Sequence, residues 1–210
     1  MEKVDYKQEM KGLYDATEEN VLIEVPGMNF VMIDGEGNPD TSAVFQQSAD
    51  ALQAVSYTLK SKSRNVGKDY DIMPLEALWY MGNIRNFSRF RKDSWKWTLM
   101  IMQPDHITAN MMKKAAAEVA AKQDLPLLES LRFERFNEGL SAQVLYKGPY
   151  SEEHDTIMKL HDFIKAEGYE PVGKHHEIYL SNPENTEPAD LKTIIRQPVA
   201  LHPAASGYNV

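Results

Sequence analysis

Apolar and polar positions along this chain follow two periods, and each change of period marks a new element. In VLIEVPGMNFVMIDGEG (21–37) two β-branched, apolar runs are split by Pro26-Gly27 and closed by Gly35 and Gly37. That order predicts strand, turn, strand and tight turn. In NPDTSAVFQQSADALQAVSYTLKSK (38–62), Thr41 and Ser42 are candidate N-caps, and Phe45, Leu52, Val55 and Leu59 fall on one helical stripe. YDIMPLEALWY (70–80) then predicts a strand, NIRNFSRFRKD (83–93) a loop, and SWKWTLMIMQP (94–104) a strand antiparallel to the first. Between Pro104 and Pro126, ITANMMKKAAAEVAAKQ is rich in Ala, Met and Lys behind a capping Thr108, which predicts a helix.

The second half repeats this order. LLESLRFERF and LSAQVLYKGPY predict strands, and SEEHDTIMKLHDFIKAEG predicts a helix capped by Ser151 and ended at Gly168. HHEIYL and LKTIIRQPV predict the last two strands. A glutamate recurs in corresponding strands, Glu76 in PLEALWY and Glu177 in KHHEIYL, and the following strands end alike in MIMQP and IIRQPV. The expected fold is α+β: tandem β-α-β-β repeats related by a pseudo-twofold, with helices on one side of an antiparallel sheet and a central ligand cleft. The expected organisation is an N-terminal arm (1–19), repeat one (20–104), a linker helix (105–126), repeat two (127–199) and a tail (200–210).

Composition narrows the function classes. The 210 residues carry a net charge of -8, which argues against a phosphate-neutralising surface and so against direct nucleic-acid binding. With no cysteine, thiolate zinc sites, Fe–S clusters, disulfides and thiol nucleophiles are excluded. The polar N-terminus has no apolar leader, and the densest apolar run, TLMIM, is too short to span a bilayer. A cytoplasmic protein without membrane partners is expected.

The stretch KHHEIYLSNPENT (174–186) concentrates the candidate chemistry. On a strand, His175, Glu177 and Tyr179 share one face while His176, Ile178 and Leu180 share the other. Adjacent histidines therefore cannot grip one metal together, and His175 with Glu177 lacks a recognisable third ligand, so no metal site is expected. Glu177 reads either as a solvent-facing strand residue or as a carboxylate among aromatic rings, whose pKa burial would raise. Glu76 reads as a second cleft carboxylate or as a sheet-surface residue. Trp79, Tyr80, Trp95, Trp97, Tyr146, Tyr150 and Tyr179 cluster near these strands, where rings serve equally for core packing and for stacking on flat or cationic ligands. The loop with Arg85, Arg89, Arg91 and Lys92 reads as a lid or as solvated surface. His154 and His161 read as boundary histidines with satisfied nitrogens.

Ile33-Asp34-Gly35-Glu36-Gly37, PLEALWY, WKWTLMIMQP, YKGPY, HHEIYLSNP and LKTIIRQPV, in this order over residues 20 to 199, resemble the GyrI-like small-molecule-binding family. The chain looks like its stand-alone branch, because residues 1–19 are too few for the helix-turn-helix module of regulatory relatives. That branch commonly has Gly and a second Trp where this sequence has Ala77 and Tyr80, which implies a changed pocket width. The resemblance implies a cleft for planar aromatic, often cationic compounds with a glutamate at its bottom. In a similar subfamily, an aromatic cage hydrolyses the strained cyclopropane of DNA-alkylating natural products. Carried over, it implies Glu177 and Tyr179 as catalytic residues and Glu76, Trp79, Tyr80, Trp95, Trp97, Tyr146 and His175 as ligand contacts. No cofactor is implied, non-catalytic sequestration is the alternative, and the family name suggests a gyrase contact that nothing in the sequence specifies.

Overall fold

The computed structural model describes residues 3–80 and 92–202. The arginine-rich loop before Lys92 lies outside the described residues. In chain order the elements are β1 (Lys3–Val4), α1 (Tyr6–Glu9), α2 (Lys11–Tyr14), β2 (Val21–Val25), β3 (Met28–Glu36), α3 (Ala43–Asn65), β4 (Asp69–Tyr70), β5 (Leu75–Tyr80), β6 (Lys96–Gln103) and α4 (Ala109–Ala120). They continue with β7 (Arg132–Phe136), β8 (Gly139–Lys147), α5 (His154–Ala166), β9 (Tyr169–Pro171), β10 (His175–Tyr179) and β11 (Lys192–Leu201).

The main sheet is antiparallel in the order β2-β8-β11-β10-β5-β6-β3-β7, with β9 pairing beside β11. This order is a palindrome about the β10–β5 pair: β3, α3, β5 and β6 on one side correspond to β8, α5, β10 and β11 on the other. The two runs around Pro26-Gly27 are not partners of each other. β2 pairs with β8 of the second half, while β7 pairs with β3 of the first. Each half therefore lends its leading strand to the other, and the halves are closed together by main-chain hydrogen bonds.

Register assigns the faces, since directly opposed residues in an antiparallel pair project to the same side. Glu177 faces Ala77 and Ile195, Ala77 faces Leu99, and Leu99 faces Ile33. This side is covered by helices. α3 packs on β3 and β6 and α5 on β8 and β9, leaving the central strands β5 and β10 under the seam between them. Leu52, Val55 and Leu59 of α3 and Leu160 and Ile164 of α5 are completely buried, each adding about 1.5–3 kcal/mol. α4, capped by the Thr108 hydroxyl accepting from the Met111 N–H, packs beside α3. The cap of α5 is Glu153 rather than Ser151, because Tyr150–Glu152 first form a short 3-10 turn. Past that helix, Gly168 takes the left-handed φ of 82° that ends it.

The opposite face is not bare. The N-terminal arm, starting with β1 parallel to β4, crosses it so that Leu13 and Tyr14 are buried. No helix of the described residues is long and apolar enough to cross a membrane.

Candidate active site under the helix seam

Glu177 occupies the middle of β10 and is 5% exposed, with His175 at 2% beside it on the same face. Its two carboxylate oxygens are spoken for: Oε1 lies 3.2 Å from His175 Nε2, and Oε2 accepts from the Tyr179 hydroxyl at 2.7 Å. The Trp79 indole N–H also leans toward Glu177 and favours its charge, without reaching hydrogen-bonding geometry. Burial alone would raise the Glu177 pKa, the direction expected of a carboxylate among apolar neighbours. The hydrogen bond and charge of His175, then Tyr179 and Trp79, outweigh burial, and the net shift is downward. Glu177 is thus a dehydrated but ionised carboxylate.

Tyr179 goes the other way. Burial, the Glu177 charge it donates to, and the charge of Glu153 hold its hydroxyl well above the usual range, so it stays a proton donor. Tyr150 packs edge-on against Tyr179 at 5.6 Å and is pushed up to about 12 by burial and by Glu177 and Glu153. Two raised tyrosine hydroxyls and the charges of two carboxylates, Glu177 and Glu153, therefore act together at this end of the site.

On the first-half side the buried surface beside Glu177 is aromatic. Phe45, at the start of α3, stacks on Trp79 at 6.0 Å with an interplanar angle of 10°, and meets Trp97 edge-on at 5.2 Å. Trp79 in turn meets Trp95 edge-on at 5.4 Å, and Lys92 Nζ lies 5.7 Å over the Trp95 ring. Trp97 lies against Gly35, its cross-strand partner, so closely that a Cβ there would run into the ring. The glycine run at 35–37 is thus more than a turn: Gly35 makes room for an indole.

The structure sorts the residues implied by the resemblance onto two faces. Glu177, Tyr179, His175, Trp79, Trp95 and Trp97 lie together on the helix side. Tyr146 is on the same side two strands away, facing Thr193, with its hydroxyl donating to the Pro149 carbonyl. Glu76 and Tyr80 do not join them. Glu76 is opposed to Ile178 rather than to Glu177, a register one residue away from the sequence alignment of the two halves, and that single step reverses its face. Tyr80, 48% exposed, borders a separate groove of about 340 Å³ with Asp34, Lys96, Thr98 and Lys174.

Glu76 instead belongs to a buried ionic cluster on the far face. Its Oε2 lies 3.0 Å from His176 Nε2, whose Nδ1 lies 3.0 Å from Glu138 Oε2. Arg196 donates to Glu138 at 3.3 Å, to Gln143 at 3.1 and 3.2 Å, and to the Leu13 carbonyl at 2.6 Å. Tyr14 donates to Glu76 Oε1 at 2.8 Å. Burial would lower the His176 pKa, but Glu138 and Glu76 carry it up to about 9, so it is an imidazolium.

Four residues of the near face had no assigned role in the sequence. Phe45 was legible only as part of a helical stripe, Tyr150 only as one more ring, and Glu153 not at all. His161 on α5 read as packing, yet burial and the nearby His175 push it down to about 4, and its Nε2 is buried without a hydrogen-bond partner among the described residues, as is His154 Nδ1. The expectation that both histidines have satisfied nitrogens is corrected. Among the described residues no cluster of His, Asp or Glu is arranged to hold a metal ion. A hollow of about 640 Å³ between α3 and α4 is lined mostly by polar groups, including Lys62, Glu118 and Lys122, together with Tyr57 and Leu125.

Residues 19–200 match the family described as the GyrI-like small molecule binding domain. Among solved structures, an uncharacterized conserved protein of Listeria innocua is 34% identical over 94% of this chain and 100% of its own, with a TM-score of 0.87. A hydrolase of the same organism is 33% identical over 95% of this chain and 100% of its own, with a TM-score of 0.85. The C-terminal domain of EcmrR, 15% identical over 88% of this chain and 98% of its own, shares the fold at a TM-score of 0.59. No curated protein matches the chain. The match over most of its length, on a palindromic sheet with a carboxylate and rings under the helix seam, shows that this chain belongs to the GyrI-like small-molecule-binding domain family.

Proposed function

We propose that the helix-covered face of β5 and β10 binds planar aromatic, often cationic compounds in the cytoplasm and hydrolyses the strained cyclopropane of DNA-alkylating members of that class, protecting the cell. The observation that carries this reading is Glu177: an ionised, dehydrated carboxylate bonded to a protonated tyrosine at the foot of an indole cluster. The hydrolase of Listeria innocua that the chain resembles supports an enzymatic reading.

The chemistry fits the groups. Rings of the Trp79, Trp95 and Trp97 set hold the flat substrate in place. Glu177 orients a water whose oxygen forms a bond to a cyclopropane carbon and takes its proton. The strained C–C bond breaks, its electron pair passes through the conjugated system to the carbonyl oxygen, and that oxygen receives a proton from Tyr179. The Glu177–Tyr179 hydrogen bond then returns the proton from carboxyl to phenolate, restoring both groups. A carboxylate with a lowered pKa is a weak base, which suits an electrophile whose ring strain already drives the opening.

Sequestration without chemistry is the second reading, favoured by the fact that both Glu177 oxygens already have partners. Mass spectrometry of the purified protein with a spirocyclopropane-bearing alkylator, together with ligand titration of Glu177→Gln, separates the two. A water-adduct product from wild type, with binding kept and product lost in the variant, supports hydrolysis. Binding by wild type with no product at all supports sequestration.

A further inference from the structure

β10 is five residues long, and its side chains alternate between two buried chemistries. His175, Glu177 and Tyr179 face the helix side. His176, between the first two, faces the ionic cluster, where its ring is gripped at one nitrogen by Glu76 of β5 and at the other by Glu138 of the β7–β8 turn. Arg196 of β11 and Tyr14 of α2 complete the surroundings of those carboxylates. With His176 and Arg196 positive and Glu76 and Glu138 negative, the cluster is neutral as it stands.

The arm supplies part of it. Besides the Tyr14 hydroxyl, the Leu13 carbonyl accepts from Arg196 and the Gly12 carbonyl accepts from Gln143. These arm residues precede the segment matched by the family, which begins at residue 19. Removed from the sheet, the arm would leave a buried guanidinium, an amide and a carboxylate oxygen each short of a partner, a costly state in a low-dielectric interior.

We propose that the arm and this buried quartet are part of the functional site: by anchoring His176 at both ring nitrogens behind the sheet, they position β10 and set the charge environment in which it presents His175 and Glu177. Tyr14, Glu76, Glu138, His176 and Arg196 are positioning residues; none lies on the helix side with Glu177. The inference rests on the reading of Glu177 as the working carboxylate, but its test requires no substrate. The coupling has a sign. Deleting the histidine charge leaves a net negative charge behind the sheet, which disfavours the Glu177 carboxylate. Deleting the Glu138 charge leaves a net positive one, which favours it.

The experiment is a carbon-13 NMR titration of the Glu177 side-chain carboxyl in the full chain, for wild type, His176→Gln and Glu138→Gln. Arm amide exchange is recorded on the same samples. The expected result is a Glu177 midpoint that moves up in His176→Gln and down in Glu138→Gln. Tyr14→Phe, a milder change that keeps every charge, gives faster exchange of the arm amides and a detectable change in the Glu177 carboxyl shift. Folded variants whose Glu177 midpoint matches wild type, or moves the same way in both charge deletions, overturn the proposal. If the charge deletions fail to fold, Tyr14→Phe decides: faster arm exchange with an unchanged Glu177 resonance overturns it too. A Glu177 that responds as expected in a protein that converts no substrate would instead count against the proposed hydrolysis.

Discussion

Gly35 and Trp97 show how one position can set the width of a site. The indole lies over a residue with no side chain, so Gly35→Ala forces either the ring or strand β3 to move. Overpacking of this kind costs about 1–3 kcal/mol, and thermal melts should show the loss. All three tryptophans of the chain, Trp79, Trp95 and Trp97, belong to this cluster, so the same variant should shift the intrinsic emission. Arg196 is the other position with a steep expectation. It is fully buried between Glu138, Gln143 and the Leu13 carbonyl. Arg196→Met leaves Glu138 with only His176, and breaking one side of a buried ionic cluster costs about 3–5 kcal/mol. Urea unfolding should find that loss; a change near zero would mean the cluster contributes little to folding.

At the scale of elements, the two faces of β10 set the pH window of stability. His176 is raised by its carboxylate partners, so its contribution is fully present below the ordinary histidine pKa of about 6.5 and is lost as pH rises through about 9. Glu138 and Glu177 are lowered, so theirs is present above the ordinary carboxylate value of 4.5 and is lost as pH falls toward their depressed values. Thermal midpoints measured across pH should therefore fall on both sides, and His176→Gln should flatten the alkaline limb while also weakening the acid limb, because it removes the charge that lowers Glu138. An alkaline limb unchanged in that variant would assign it to other groups. The alternation of β10 was legible from KHHEIYL, because period two follows from the strand itself. The place of Glu76 was not. Aligning the glutamates of the two halves is off by one residue, and in a pleated sheet one residue changes the face. Only the hydrogen-bonded register, with Ala77 opposite Glu177, reveals it. Likewise, Pro26-Gly27 marked the break between β2 and β3 but could not tell which strands they would join.

Across the whole molecule, the exchange of β2 and β7 ties the two halves into one sheet. Neither half can leave without exposing the other's outer strand, so unfolding should be a single transition. Tryptophan emission reports only the first half, and far-UV circular dichroism reports both; their urea midpoints should coincide, whereas separated midpoints would show independent halves. The repeat order and the helices were legible in the sequence because periodicity and caps are local. The arm was not: its packing depends on main-chain carbonyls of Gly12 and Leu13 meeting side chains far along the chain, and carbonyls leave no mark in a sequence.

The central claim is that Glu177 directs water at a strained ring. It is tested most directly by running the reaction with a spirocyclopropane substrate in oxygen-18 water and comparing wild type with Glu177→Gln at saturating substrate. The account predicts product carrying one solvent oxygen from wild type, and a rate about 100-fold or more lower in the variant, the scale of lost general-base catalysis. Equal rates in the two proteins, or product without solvent oxygen, would contradict it.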